Sequence, residues 1–223
     1  MKDPTRLEAL SPEVFDADTR IVAQRLLEWC LVRRDENGQY VGGRIVETEA
    51  YLSLDAASHS SSGRTKRNAA MFLAPGYAYV YRSYGVHWCV NVVTAPEGIG
   101  EAVLVRALEP LWGLPAMAAR RGIRENLRGL TNGPGKLCRA LEITDEDNGA
   151  PLDGTSRLML RRWVESETRV RALTIATPRI GISRDTEKLW RFVVADNPYV
   201  SGRRSGRTTW GPSVYAGWNI GAK

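Results

Sequence analysis

The sequence predicts an α+β fold, a single domain in which a curved, largely antiparallel β-sheet is flanked by helices and sends out one β-hairpin. Two observations lead there. Residues 31–109 form a dense run of short segments, rich in alternation and in β-branched or aromatic residues. Stretches with apolar residues at helical spacing lie before and after that run, which is the order expected of helices packed on and around one sheet. The 223 residues, 43% of them hydrophobic, suffice for one sizeable core. We expect one domain over 1–223, with an irregular tail from about 205 to 223.

The elements follow in order. SPEVFDADTRIVAQRLLEWCLVRR opens as a helix, with Ser11 as N-cap, Pro12 in the first position, and apolar residues at helical spacing through Val22, Leu26, Leu27 and Cys30. Strands are expected at CLVRR (30–34), GGRIVETEAYL (42–52), GYAYVYRS (76–83), VHWCVNVVT (86–94) and AVLVRALEP (102–110). Helix returns in LWGLPAMAARRG, and NGPGKLCRALEI reads as a turn opening onto another helix. RLMLRRWV and LWRFVVA are late strands. The Gly-rich stretch SGRRSGRTTWGPSVYAGWNIGAK carries no regular pattern.

Within YVYRSYGVHWCVN, the alternation of Tyr79, Tyr81, Cys89 and Asn91 against Val80, Trp88 and Val90 predicts two antiparallel strands joined near Ser83-Tyr84-Gly85. Turn tips are usually small and polar. Tyr84 therefore either folds back as a cap on the core or is held out to meet something.

Composition narrows the function classes. No apolar run approaches the roughly 20 residues of a membrane helix, and MKDPTRLEAL lacks the apolar segment of a signal peptide, so an intracellular, soluble protein without membrane partners is expected. Cys30, Cys89 and Cys138 are odd in number and widely spaced, which suggests buried thiols rather than a disulfide framework or a metal-binding pair. The net charge of +6 favours a polyanionic partner. The excess gathers in three places: Arg64, Lys66 and Arg67; Arg120 to Arg128; and Arg191 with Arg203, Arg204 and Arg207.

The chemistry concentrates in GRIVETEAYL. On a strand, Glu47, Glu49 and Tyr51 face one way and Val46, Thr48, Ala50 and Leu52 the other, with the two carboxylates about 6.5–7 Å apart at the backbone. Such a polar face is expected toward solvent. Two acids and an aromatic on it resemble the furnishing of a site where a carboxylate activates water against an oxocarbenium-like centre. His59 follows in a polar loop. No second His or Cys stands at ligand spacing around His59 or His87, so no metal is expected, and there is no GxSxG elbow for a serine nucleophile.

RIVETEAYL, then ASHS, RTKRNAAMFLAPGYAYVYRSYGVHWCVNVV, VLVRALEP and NGPGKLCRAL, in this order from about 40 to 141, resemble the alkyladenine (3-methyladenine, methylpurine) DNA glycosylase family. PRIGIS and LWRFVVADNPYVS are similar to its C-terminal portion. The resemblance implies a monomeric, monofunctional repair enzyme without cofactor or Schiff-base lysine. Such an enzyme flips a damaged purine from duplex DNA and hydrolyses its N-glycosidic bond with water. Its location would be cytoplasmic and nucleoid-associated in a bacterium, nuclear in a eukaryote.

Carried onto matching positions, the resemblance makes Glu49 the general base and puts Arg106 near the water, with Glu47 an accessory. Tyr51 and Tyr81 would sandwich the flipped base, His59 would hydrogen-bond its edge, and Asn91 would help reject wrong exocyclic groups. Tyr84 would be inserted into the duplex in place of the extruded nucleotide, the hairpin projecting toward DNA. Arg64, Arg67 and Lys136, the last ahead of a helix N-terminus, suit phosphate contacts. Two other classes stay open on the residues alone. One is a hydrolase of free nucleosides or glycosides that uses Glu47 and Glu49 as paired acid and base; the other is a DNA-damage binding protein without turnover.

Overall fold

In the computed structural model, residues 3–124, 127–163 and 172–202 are described. The predicted irregular tail from about 205 lies outside them, as do Arg203, Arg204 and Arg207 of the third basic cluster. The described strands are β1 (Glu8–Ala9), β2 (Cys30–Arg34), β3 (Tyr40–Tyr51), β4 (Ala78–Ser83), β5 (His87–Val93), β6 (Ala102–Trp112), β7 (Leu158–Arg162), β8 (Thr174–Thr177) and β9 (Arg191–Val194). They form one curled sheet in the order β1-β7-β2-β3-β6-β5-β4, with β9 added against the C-terminal half of β3 and β8 against β9. Every ladder is antiparallel.

Helices α1 (Thr19–Arg25), α2 (Leu114–Arg121) and α3 (Pro134–Leu141) pack on this sheet. Val22, Ala23 and Leu26 at one end of the core, and Leu137, Cys138 and Leu141 at another, lose all solvent contact against Ile45, Val46, Val103 and Val105. Each large aliphatic side chain so buried contributes about 1.5–3 kcal/mol. The α+β class and the single curved sheet agree with the sequence pattern.

Three boundaries differ from expectation. Ser11 and Pro12 open only a 3-10 turn, Pro12–Phe15, in which the Ser11 side chain makes no capping bond. The helix proper begins after Asp18, whose carboxylate accepts the Arg20 N–H at 2.8 Å. It ends at Arg25, and Glu28 turns the chain in left-handed backbone (φ 67°) toward β2. Strand β6 runs through Pro110 to Trp112, so α2 starts only after Gly113, itself left-handed at φ 70°. Short strands β1 and β8 carry too few residues to show a period in the sequence.

Strand β3 is the axis of the molecule. It pairs with β6 along its length, with β2 at its start and with β9 over Glu47–Glu49. Gly42 and Gly43 allow the tight approach of both neighbours: a Cβ on Gly43 would stand 2.1 Å from the Glu109 carbonyl oxygen, and one on Gly42 2.4 Å from that of Leu31. Register shifts on either side of Glu47 re-aim the following residues.

Candidate active site

Pairing on both edges of β3 puts Glu47 and Glu49 in the interior, each 0% exposed. This overturns the expectation of a solvent-facing polar face. The reason lies on neighbouring strands, which bring cations to meet the acids: Arg106 from β6 and Arg191 from β9. A buried carboxylate persists only when it is paired and hydrogen-bonded.

The two acids are used differently. Glu47 Oε1 accepts from Arg106 Nε at 3.0 Å, Arg191 Nε at 2.6 Å and the Ser201 hydroxyl at 2.8 Å, while Oε2 accepts the Ser201 N–H at 2.6 Å. Both oxygens are thus committed to the protein. Glu47 anchors the sheet and the chain around Ser201. Glu49 Oε1 accepts the Ile180 N–H at 2.8 Å; its Oε2 accepts the Tyr51 hydroxyl at 2.8 Å and Arg106 Nη1 at 3.2 Å. Arg106 therefore bridges the two acids. Burial works against its charge, but the Glu49 and Glu47 carboxylates overcome this and hold its pKa above the ordinary value.

Around Glu49 stands an aromatic group. Tyr51 reaches it through the hydroxyl, and Tyr51, Tyr77 and Tyr81 pack at the edge of a small cluster with Met71, Phe72 and Tyr79. Tyr79 and Tyr81, two apart on β4, stack with centroids 5.4 Å apart, and His59 meets Tyr81 edge-on at 4.4 Å. The His59 Nδ1 and the Tyr79 hydroxyl share a hydrogen bond of 2.9 Å. Burial keeps the phenols protonated: the Tyr79 pKa is pushed up to about 12 and those of Tyr51 and Tyr81 higher still, the Glu49 charge adding to the effect on Tyr51. The surrounding protein mass, then the Arg67 cation, lowers the His59 pKa, although part of the ring stays open to water. Its neutral form is favoured at neutral pH. Asn91 is buried beneath, donating from Nδ2 to the Tyr79 carbonyl at 2.9 Å.

Tyr51, His59, Tyr81, Asn91, Glu49 and Arg106 are thus one neighbourhood, linked by contacts that run from β3 through β6 to β4 and β5. Tyr84 stands apart from it at the hairpin tip, 90% exposed with left-handed backbone (φ 49°), followed by Gly85 at φ 68°. It caps nothing. Arg64, Arg67 and Lys136 are all exposed. Arg67 donates to the Arg82 carbonyl at 3.1 Å, beside one strand of the hairpin. The N-terminus of α3 lies beside the other strand, where a Cβ on Gly135 would come 2.8 Å from the His87 Cβ, and Lys136 follows it. The first turn of α3 has no side-chain cap at Gly133. A basic surface thus flanks the hairpin root on both sides.

Sequence reasoning missed Ile180, Arg191, Ser201 and Tyr79 as parts of this neighbourhood, and with them Arg179, which lies over the Tyr51 ring, and its partner Asp55. Only Tyr79 could have been found, from its alternation with Tyr81. Among the described residues no group of three or more His, Cys, Asp or Glu side chains is placed to hold a metal ion, and no helix is long and apolar enough to cross a membrane.

Fold and site together define a class: a single-sheet α+β protein with a buried, arginine-paired carboxylate beside an aromatic cluster, next to a hairpin with a basic surround. The model of the methylpurine-DNA glycosylase family matches residues 13–198, and the chain belongs to that family. It is similar to a protein of Rhodopseudomonas palustris named "Putative 3-methyladenine DNA glycosylase", 53% identical over 160 residues that cover 72% of this chain and 74% of the relative. A protein of the same name from Methanoculleus marisnigri is 49% identical over 85% of this chain and 96% of its own length. Another from Chlorobium phaeobacteroides is 42% identical over 90% and 99%. The family is one of monofunctional DNA glycosylases, enzymes of DNA repair.

Proposed function

We infer that this protein, as a monomer, removes alkylated and deaminated purines such as 3-methyladenine, 7-methylguanine, hypoxanthine and ethenoadenine from duplex DNA and leaves an abasic site. The observation that carries this reading is Glu49: a wholly buried carboxylate, oriented by three donors, beside tyrosines whose rings suit a flat base.

The damaged nucleotide rotates out of the stack, and its base enters between Tyr51 and Tyr81, where electron-poor or cationic purines stack best. His59 meets the base edge, and Asn91 excludes purines with the wrong exocyclic group. The glycosidic C1′–N bond breaks with its electron pair leaving on the base. A water oxygen bonds to C1′, and Glu49 takes that water's proton. The same negative charge stabilises the cationic sugar as it develops. A cationic base departs neutral; a neutral purine must gain a proton on leaving. Arg106, held between the two acids, keeps Glu49 oriented for this step. Tyr84 fills the gap left in the duplex, and Arg64, Arg67 and Lys136 contact phosphates.

The exposed tyrosine with cations on both sides of its hairpin favours duplex DNA over free nucleosides as substrate. The test incubates the protein with duplexes that each hold one defined lesion and scores abasic sites. Release of methylated purines from duplex, with none from the free nucleosides, is the expected result. Tight binding without release, or turnover of nucleosides alone, would overturn the reading.

A further inference from the structure

Beneath Tyr51 lies a cation that the chemistry above does not use. Arg179 and Asp55 form an ion pair in which both side chains are 0% exposed. Both terminal nitrogens of the guanidinium bond the carboxylate, Nη2 reaching Oδ1 at 2.9 Å, and Nη1 also donates to the Ala50 carbonyl at 3.0 Å. Its central carbon stands 4.7 Å from the Tyr51 ring centroid and 5.1 Å from that of Trp190. Its Nε is buried and has no acceptor among the described residues. A buried N–H left unpaired is unfavourable, and apolar side chains of similar volume often replace buried ion pairs without loss of stability. Packing alone therefore does not account for a charge kept at this position.

An aromatic ring presents negative potential on both faces. Arg179 is buried, so it occupies the inward side of Tyr51, and a purine stacked on the ring must use the other. That guest meets a ring already polarised toward one cation, with positive charge behind it. A neutral purine loses little by this. A cationic one loses some of the attraction that comes from its charge. Asp55 damps the effect without removing it, because the guanidinium is the group over the ring.

We propose that Arg179 is a specificity-determining residue whose charge beneath Tyr51 weakens the preference for cationic purines and so opens the site to neutral ones. The proposal rests on the reading that Tyr51 stacks on the extruded base.

The test uses the full chain and two duplexes identical except for one lesion, 7-methylguanine (cationic) or hypoxanthine (neutral). Single-turnover base release is measured on each, and the cationic-to-neutral ratio is compared between variants. Asp55→Asn with Arg179→Gln removes both charges, while the amides can restore bonds to each other, to the Ala57 N–H and to the Ala50 carbonyl. The ratio is expected to rise by about fivefold or more. A merely structural role slows both reactions alike, and a ratio within about twofold of the parent's overturns the proposal. Arg179→Lys keeps the charge and should hold the ratio within about twofold even where its rates fall; a fivefold rise there also overturns it. If the amide pair does not melt cooperatively, Asp55→Asn with Arg179→Met replaces it under the same criterion. A parent protein that releases neither base defeats the functional reading instead, and the two failures are distinguishable.

Discussion

The polar face of β3 and the tip of the β4–β5 hairpin both carry residues where ordinary folding would not put them, and the molecule treats the two cases oppositely. On β3, two carboxylates lie wholly inside, and arginines from β6 and β9 come in to neutralise them. At the tip, a tyrosine in left-handed backbone stands almost entirely in water. The cost of the first is offset within the chain. Among the described residues nothing covers the tip's aromatic surface, which fits its proposed contact with DNA. Sites that break local rules are where function concentrates, and whether the compensation is internal or external distinguishes the proposed hydrolytic site from the surface proposed to meet DNA.

The comparison breaks most sharply at Glu49. Glu49→Gln keeps the shape and loses the base, so single-turnover release should fall about 10²–10⁴-fold, while the variant still binds lesion DNA. Glu47 should behave the other way. Glu47→Ala strands Arg191 and part of Arg106 in the interior and should cost about 3–5 kcal/mol of stability, whereas Glu47→Gln should release base within about tenfold of the parent rate. Paired rate and denaturation measurements decide it. If Glu49→Gln works normally, or Glu47→Gln loses activity at unchanged stability, the roles are assigned to the wrong acids.

The resemblance alone separates Glu49 from Glu47 in role, whereas the surroundings of the two acids are visible only in the fold. The strands of the sheet were legible because alternation is local, and β3 to β6 fall within a few residues of their expected bounds. Glu49 and Tyr51 were legible as a pair because they are two apart on one strand. The burial of Glu47 and Glu49 was not. The groups that decide it, Arg106, Ile180, Arg191 and Ser201, lie 57 to 154 residues away from the acids in sequence. Likewise, Ser11-Pro12 and Asp18 both carry helix-start chemistry, and only tertiary packing selects Asp18.

The outer region predicts an electrostatic signature that the inner one does not share. Each phosphate neutralised by a cation should contribute about −0.9 to the slope of log affinity against log salt. Arg67→Ala and Lys136→Ala should each remove about one such contribution and weaken binding to lesion and undamaged duplexes equally, since phosphate contacts carry no base information. Titrations at several salt concentrations measure this. A flat response would detach the hairpin's basic surround from DNA.

A milder effect joins the two regions through His59. Its pKa is lowered, first by the surrounding protein and second by Arg67, so the unfolded chain takes up this proton first as pH falls. Stability from this group is therefore full above its ordinary pKa of about 6.5 and is lost through the window between that value and the lower one in the folded protein. Proton NMR titration should put His59 below ~6.5, and Arg67→Ala should move it upward. A midpoint of His59 indifferent to Arg67 would remove the coupling.

The smallest effect on the fold is expected at Tyr84. Left-handed backbone costs a non-glycine residue about 1–2 kcal/mol, and at 90% exposure Tyr84 recovers little of this by packing. Tyr84→Ser should change stability by no more than about 0.5 kcal/mol, and Tyr84→Gly should do no harm, since glycine accepts that φ freely. Function should respond where stability does not. Extruding a nucleotide costs a few kcal/mol of stacking and pairing, and a ring that fills the gap recovers part of it by stacking on the neighbours. The serine variant should therefore lower the flipped fraction of an ethenoadenine lesion, read by its fluorescence, and should be least impaired on single-stranded DNA, where there is little to unstack. A destabilised variant that flips normally would make the tip a structural element after all, and the contrast with β3 would vanish with it.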